Sequence, residues 1–97
     1  MRVEWTKGAQ RNLDAIEAYI TQDNPKAAAK LVLKIVKRTF SQLSKHPSSG
    51  KHGRIDGTRE LIFTEFPYIV VYTVQNEILY ILSVFHTSQD IENFPLQ

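Results

Sequence analysis

The sequence predicts an α+β fold in which an N-terminal strand and a helical hairpin pack on one face of an antiparallel-rich four-stranded sheet. Three observations predict it. Apolar side chains recur at helical spacing over residues 7–45, with one interruption at residues 23–25. Residues 61–86 are rich in β-branched and aromatic side chains, and a short alternating segment precedes the first helix. The element order is therefore β-α-α-β-β-β, and 97 residues suffice for one domain, residues 1–97.

The first two elements are a short strand and a helix. Val3 and Trp5 alternate with polar neighbours, which is typical of a half-buried strand. Thr6 has the side chain to cap a helix that we expect over residues 7–21. Its core-facing stripe consists of residues spaced four, three and four apart: Ala9, Leu13, Ile16 and Ile20.

The second helix is expected over residues 25–45, because Asn24 can cap it and Pro25 fits its first position. The short link between the helices predicts an antiparallel hairpin. The inner face of the second helix consists of Ala28, Val32, Ile35, Val36, Phe40 and Leu43. Its outer face carries a basic stripe of Lys26, Lys30, Lys34 and Lys37.

A loop is predicted over residues 46–53 and strands over residues 61–63, 68–74 and 78–85, with a break at 65–67 and a turn at 75–77. The last strand is almost continuously apolar, so we expect it to be central and covered on both faces. Strict alternation directs one set of its side chains to one face: Tyr80, Leu82, Val84 and His86. The other set is Leu79, Ile81, Ser83 and Phe85.

Basic residues are concentrated in the middle of the chain. Residues 26–59 hold nine Lys or Arg and one acid, a balance of +8, whereas the rest holds three basic and nine acidic residues, a balance of −6. This segregation indicates an anionic partner such as nucleic acid, a phosphate-rich surface or an acidic peptide. The alternative is an ordinary solvated helix face.

Several classes of protein are excluded or disfavoured by composition. The absence of cysteine excludes disulfides and thiolate chemistry. No segment has the length of a signal peptide or membrane span, so we expect a soluble, cytoplasmic protein without membrane contact. His46 and His52 lack a carboxylate at ligand spacing, and we expect no metal and no cofactor.

Residues 51–59 contain the candidate anion-binding side chains. Lys51, Arg54 and Arg59 lie around Gly57, and a glycine-bearing backbone with guanidinium groups can bind a phosphate closely. Neither common nucleotide-binding fingerprint is present. The alternative is a loop in which Arg59 pairs with a neighbouring acid: Asp56, Glu60 or Glu65.

His86, Tyr68 and Ser83 are the other candidates for chemistry. His86, at the exit of the last strand, is either a proton shuttle or a strand-end residue bonded to backbone. Tyr68 either stacks on a base or lies in the core, whereas Tyr72 is expected in the core. Ser83 lacks a glycine-flanked elbow and is expected to be a small core residue.

Taken in order, these segments resemble the RelE/ParE superfamily, toxins of bacterial type II toxin–antitoxin modules. The matching residues are Val3-x-Trp5, Leu13-x-x-Ile16-x-x-Tyr19-Ile20, Asn24-Pro25-x-Ala27-Ala28, Leu43-x-x-x-Pro47, Gly53-Arg54, Gly57-Thr58-Arg59-Glu60-Leu61, Pro67-Tyr68-Ile69-Val70-Val71-Tyr72 and Ile81-Leu82-x-Val84-x-His86-x-x-Gln89.

The resemblance implies one of two activities. RelE-like members are ribosome-dependent endoribonucleases; by position, Arg59 would act on the scissile phosphate and His86 would be an acid/base. Such nucleases commonly offer a tyrosine or another histidine after the last strand, and residues 87–94 here contain neither. ParE-like members are described as poisons of DNA gyrase without catalytic residues. The ParE/StbE-like branch is therefore favoured, the ribonuclease is the alternative, and a non-toxic nucleic-acid-binding module is a further one.

The resemblance also implies partners. A cognate antitoxin is expected on the basic stretch 26–59, with Lys30, Lys34 and Lys37 as contacts. The target is DNA gyrase or the ribosome with its mRNA, and Lys51, Arg54 and Arg59 are the candidate target or phosphate contacts.

Overall fold

A computed structural model, which describes residues 1–88, has two helices and one mixed five-stranded sheet. The elements are β1 (Arg2–Trp5), α1 (Lys7–Thr21), α2 (Pro25–Leu43), β2 (Lys51–His52), β3 (Arg59–Ile62), β4 (Tyr68–Gln75) and β5 (Ile78–His86). The strand order is β1-β5-β4-β3-β2, with β1 parallel to β5 and the other pairs antiparallel.

The predicted fold class is confirmed, but the predicted number of strands is wrong. The fifth strand, β2, lies within the segment expected to be a loop. Two residues are too few to show the alternation that identifies a strand in a sequence. Its pairing with β3 places the loop before Gly53 at the edge of the sheet.

The predicted helix starts are confirmed by their caps. The Thr6 hydroxyl oxygen accepts the Ala9 N–H at 3.1 Å, and the same hydroxyl donates to the Ile81 carbonyl at 2.9 Å. The Asn24 side chain accepts the Ala27 N–H at 3.1 Å. The first cap thus joins the start of α1 to β5, in addition to satisfying a free helical amide.

The helices cover one face of the sheet, here called the helix face. The main core lies there and includes Leu13 from α1, Ile35 from α2, Tyr72 from β4 and Ile81 from β5, all buried. A smaller cluster of Ile69, Val71 and Phe85, with Leu82 packed against it, occupies the opposite or far face. No helix within residues 1–88 is long and apolar enough to cross a membrane.

The expected inner position of Phe40 is wrong. Its exposed fraction is 57%, and the neighbouring Thr39 is fully buried instead. Counting in steps of four from Ile35, the core-facing positions of α2 are Thr39 and Leu43. At this point the position of a residue on the helix, and not the hydrophobicity of its side chain, decides whether it is buried.

A β-bulge makes the expected alternation along β5 wrong beyond Ile81. Val71 pairs with Ser83 and Tyr72 with Ile81, so Leu82 is the extra residue. Ile81 and Val84 consequently both contact the main core, while Leu82 and Phe85 pack together on the far face.

The side chain of Asn12, on α1, satisfies the backbone at this bulge. Its Oδ1 atom accepts the Val84 N–H and the Ser83 hydroxyl, each at 3.0 Å. Ser83 is buried, in agreement with its expected role as a small core residue. A polar residue of α1 therefore fixes the point at which the side chains of β5 change faces.

Candidate functional site

Arg59 opens β3 and lies opposite Tyr72 of β4 on the helix face. Its Nη1 atom donates to the Gly50 carbonyl at 2.7 Å and to the Ser48 carbonyl at 3.2 Å. The Tyr72 hydroxyl donates to the Pro47 carbonyl at 2.8 Å and accepts the Gly50 N–H at 2.9 Å. The two side chains together hold residues 47–50, an arrangement here called the loop clamp.

The clamp requires glycine at position 50. A Cβ atom there would lie 2.5 Å from the Tyr72 hydroxyl oxygen and 2.9 Å from the Glu60 carbonyl oxygen. The clamp also changes the acidity of the phenol. Burial raises the pKa of Tyr72, and the Gly50 hydrogen bond and the Arg59 charge only partly oppose that rise.

The carboxylate of Glu60 is buried on the far face. Its side chain is 0% exposed, and Oε2 accepts the backbone N–H of Arg54 at 3.0 Å and lies 3.5 Å from Arg54 Nε. Oε1 has no hydrogen-bond partner among residues 1–88. The Arg54 guanidinium also lies 5.6 Å from the centroid of the Phe85 ring. Glu60 therefore fixes both the backbone and the side chain of Arg54.

The three residues predicted to bind a phosphate do not share one surface. Lys51 lies opposite Glu60, so its position belongs to the far face with Arg54. Arg59 belongs to the helix face. Two of the three acids expected beside Arg59 pair elsewhere, Glu60 with Arg54 and Glu65 with Arg38 at 2.6 Å. Within residues 1–88 no ion pair joins Arg59 to the third, Asp56.

His86 lies in a different place. It lines a cavity of about 590 Å³ between α1 and the C-terminal end of β5. Its ring is 5.3 Å from that of Tyr68 in an edge-on arrangement. The Ser88 N–H donates to His86 Nδ1 at 3.1 Å, so Nδ1 is an acceptor. The cavity is lined by Asn12, Ala15, Ile16, Tyr19, Tyr68, Val84, His86 and Ser88.

Tyr68 is 9% exposed and contributes to the main core. Of the two interpretations of this residue, the core position is therefore the one observed. Desolvation raises its pKa, and nearby Tyr19 raises it further. A phenol in such surroundings stays neutral at physiological pH. Tyr19 is 70% exposed and stands at the mouth of the cavity.

Arg59 and His86 do not meet. Arg59 lies opposite Tyr72 and His86 opposite Tyr68, on strands either side of β4. Four residues along a strand and two strand spacings separate their Cα atoms by roughly 16 Å. Arg59 instead lines a second cavity of about 310 Å³ with Pro47, Ser48 and Tyr72 among its walls.

Lys30, Lys34 and Lys37 are exposed on the outer side of α2, as a stripe facing away from the core requires. The motif residue Gln89 and most of the segment 87–94, which contains no tyrosine or histidine, lie outside the described residues. Within residues 1–88, no three His, Asp or Glu side chains form a group suited to a metal ion.

Sequence reasoning missed the role of Glu60 as the partner of Arg54, and it missed Asn12 altogether. The signal for Glu60 was its place directly after Arg59, because neighbouring strand residues face opposite sides. No sequence signal identified Asn12, whose partners lie more than 70 positions away.

Comparison with known proteins gives a consistent result. A family model described as the ParE toxin of the type II toxin–antitoxin system parDE matches residues 3–91. A putative toxin, Y4kP of Sinorhizobium fredii, is 43% identical over 88 residues, covering 91% of this chain and 90% of the relative. Toxin RelE2 of Caulobacter vibrioides is 31% identical over 88 residues, covering 91% and 97%.

Solved structures agree. A structure of the chromosomal ParDE system from P. aeruginosa matches with a TM-score of 0.84 and 25% identity, covering 91% of this chain and 97% of that one. The RelBE2 toxin–antitoxin complex from Mycobacterium tuberculosis matches with a TM-score of 0.63 and 27% identity, covering 88% and 95%. The isolated E. coli RelE toxin, at a TM-score of 0.59, 13% identity and coverage of 92% and 86%, shares the fold.

Proposed function

The chain belongs to the ParE toxin family of type II toxin–antitoxin systems, and from this premise we propose that it arrests growth by inhibiting DNA gyrase in the cytoplasm until a cognate antitoxin neutralises it. Residues 1–97 act in this proposal as a single toxin domain. The gyrase target follows the activity described for ParE-like members of the superfamily.

The observation that carries the choice of target is the separation of Arg59 from His86. In a RelE-like nuclease, by position, Arg59 would act on the scissile phosphate and His86 would be the acid/base, whereas here their Cα atoms are roughly 16 Å apart. The Nη1 donors of Arg59 are, in addition, already bonded to loop carbonyls. The backbone also matches the P. aeruginosa ParDE structure more closely than the RelBE2 complex.

The exposed cations fit contact with an antitoxin and with a target. Lys30, Lys34 and Lys37 form one basic side of α2, suited to an acidic antitoxin segment. Lys51 and Arg54, on the far face, are the proposed target contacts. Arg59 is also a proposed target contact, but only through the guanidinium N–H groups that do not bond to the loop carbonyls.

The test is supercoiling by purified gyrase in the presence of the purified chain. We expect inhibition or trapped cleavage complexes, and weaker inhibition by Lys51→Ala/Arg54→Ala. A matched control is Lys7→Ala/Arg11→Ala, which removes two exposed cations from α1. Normal supercoiling at a large excess of the chain would rule out the gyrase proposal.

A ribosome-dependent ribonuclease is the second candidate. It is favoured by the 31% identity to toxin RelE2 and by the position of His86 in a cavity beside Tyr68. It requires mRNA cuts in induced cells that Arg59→Ala and His86→Ala each abolish. Intact mRNA in growth-arrested cells argues against it, and nucleic-acid binding without any growth arrest would favour the non-toxic binding module.

A further inference from the structure

We propose that the cavity between α1 and the C-terminal end of β5 is a binding site for an uncharged, planar heteroaromatic ring with hydrogen-bond acceptors on its edge, the chemistry of a nucleobase. This cavity, here called the α1–β5 cavity, measures about 590 Å³, and its lining includes Asn12, Ala15, Ile16, Tyr19, Tyr68 and His86. Sites for small ligands ordinarily measure about 300–1,000 Å³. The gyrase proposal assigns no ligand to this cavity.

The fold builds the cavity from one side of α1 and from one pair of opposed strand residues. Asn12, Ile16 and Tyr19 follow one another at spacings of four and three, so they share one side of the helix. Tyr68 of β4 lies opposite His86 of β5, and their rings meet edge-on with centroids 5.3 Å apart. Aromatic rings and an aliphatic wall therefore line the space, and such walls suit a flat aromatic ligand.

The hydroxyl of Tyr68 is a hydrogen-bonding group that the chain itself leaves unused. Tyr68 is 9% exposed, and its hydroxyl has no hydrogen-bond partner among residues 1–88. Burial raises the pKa of this phenol, and Tyr19 raises it further, so the group keeps its proton and is a donor at physiological pH. A desolvated donor without an acceptor costs free energy. A carbonyl oxygen or ring nitrogen of a bound ligand supplies that acceptor.

Asn12 supplies a second donor. Its Oδ1 atom accepts the Val84 N–H at 3.0 Å, and because a backbone amide can only donate, this contact distinguishes the oxygen of the side chain from the nitrogen. Oδ1 also accepts the Ser83 hydroxyl, so the side chain is held in one orientation. Its Nδ2 group has no hydrogen-bond partner among residues 1–88. Both unused donors are neutral, and both belong to residues that line the cavity.

The lining selects an uncharged ligand. Within residues 1–88 it contains no Lys, Arg, Asp or Glu, so an ionic ligand would be desolvated there without a counter-charge. A purely aliphatic group would satisfy the walls but would leave both donors without an acceptor. A nucleobase satisfies both requirements, because its face stacks on rings and its edge carries carbonyl or ring-nitrogen acceptors.

A nucleobase can reach this cavity from two sources, a free nucleoside or an unstacked base of a single strand. Either source has to leave its sugar at the open side of the cavity. Tyr19, which is 70% exposed, stands at that side, and Ser88 also belongs to the lining. The mouth is therefore polar, as the hydroxyls of a sugar require.

The experiment titrates the full-length chain with adenosine and with uridine and follows its amide resonances by NMR. Ribose is the control that lacks the ring. Adenosine monophosphate shows whether a negative charge contributes to binding. Finally, single-stranded polyadenylate is added to the chain saturated with adenosine, which distinguishes the two sources of the base.

We expect saturable shifts of the Asn12 side-chain amide and of the Ala15 amide with at least one nucleoside, with a Kd on the order of 0.1–1 mM for a ligand of this size. Ribose should cause no such shifts. Adenosine monophosphate should bind within about threefold of adenosine, because no cationic side chain of residues 1–88 lines the cavity.

Ala15→Leu fills part of the cavity from an exposed position of α1 and should weaken nucleoside binding at least about tenfold. Ala18→Leu is the matched control, because it adds the same side chain at an exposed position of the same helix that does not line the cavity. Tyr68→Phe removes one donor and should weaken binding about three- to tenfold. Unchanged circular dichroism establishes that each variant is folded.

The absence of saturable shifts with both nucleosides, or normal nucleoside binding by Ala15→Leu, would overturn the inference. So would binding of adenosine monophosphate more than about tenfold tighter than that of adenosine, because cations outside the cavity would then hold the ligand. Displacement of adenosine by polyadenylate assigns the cavity to a base within a strand, and retention of adenosine assigns it to a free nucleoside. The assay requires neither gyrase nor growth arrest, so this inference and the gyrase proposal can fail separately.

Discussion

Arg59 of β3 and Tyr72 of β4 lie opposite each other, and both hold the loop through the backbone groups of Gly50. Arg59 binds the carbonyl of Gly50, and Tyr72 binds its N–H. An arginine that resembles a phosphate ligand in the sequence thus has a structural partner inside the chain. Loss of Arg59 will therefore change the fold's stability whatever the target is.

Arg59→Ala should lower the free energy of unfolding by about 1–3 kcal/mol, because two loop carbonyls lose a charged donor. Urea denaturation measures this. Arg11→Ala on the exposed side of α1 is the control and should fall within about 0.5 kcal/mol of the parent. An Arg59→Ala chain as stable as the parent would contradict the clamp.

Tyr72→Phe should cost a similar amount, about 1–3 kcal/mol, since the buried N–H of Gly50 loses its acceptor. Denaturation at neutral pH measures the difference. Tyr68→Phe is an informative comparison, because the ring of Tyr68 is buried in the same core and Tyr68 makes none of the hydrogen bonds of the clamp.

The same phenol predicts a pH dependence. Its folded pKa is raised, so its stabilisation is complete below a tyrosine's ordinary pKa of about 10 and is lost as the pH rises through the folded pKa. The urea midpoint of the parent should therefore fall under alkaline conditions, and less steeply in Tyr72→Phe. Parallel curves for the two chains would show that Tyr72 ionises with the same pKa folded and unfolded.

Gly50→Ala should destabilise the chain more than Gly57→Ala. A Cβ at position 50 would overlap Tyr72, which costs about 1–3 kcal/mol. Gly57 has a φ of 81° and open space around it, so alanine there costs only about 1–2 kcal/mol of backbone strain. Thermal unfolding ranks the two. Tyr72→Phe combined with Gly50→Ala should be less damaging than the sum of its parts, because the closest clashing atom is gone.

Glu60→Ala should loosen the loop that carries Arg54. Its carboxylate accepts the Arg54 N–H, so hydrogen exchange at that amide should accelerate, with a stability loss of about 1–3 kcal/mol. Glu60→Gln retains an acceptor and should protect the amide better. If Arg54 exchanges equally slowly in all three chains, Glu60 does not hold the loop.

Local rules were enough to predict the helices and the longer strands. Thr6, Asn24 and Pro25 mark helix starts through interactions within a few residues, and the structure places each in that role. Phe40 shows where the same reasoning fails. Its hydrophobicity favoured the core, whereas the geometry of α2 turns it outward and buries Thr39.

The candidate site depended on relationships that no local rule contains. The contacts of Arg54 with Glu60 place Arg54 on the far face, whereas Arg59 lies opposite Tyr72 on the helix face. The bulge at Leu82 decides which residues of β5 contact the helices, and its stabilising partner, Asn12, is distant in sequence. Residue types were therefore identifiable from the sequence, but their grouping required the sheet register.

The parallel pairing of β1 with β5 has a consequence for the order in which the chain folds. Arg2 pairs with Ile78 and Trp5 with Ile81, so β1 cannot pair until β5 has been synthesised. Such distant contacts slow folding, because the intervening chain has to be closed into a loop before they form. The helical hairpin will therefore leave the ribosome without the strand that Thr6 joins it to, and the complete sheet is a late event in the synthesis of the molecule.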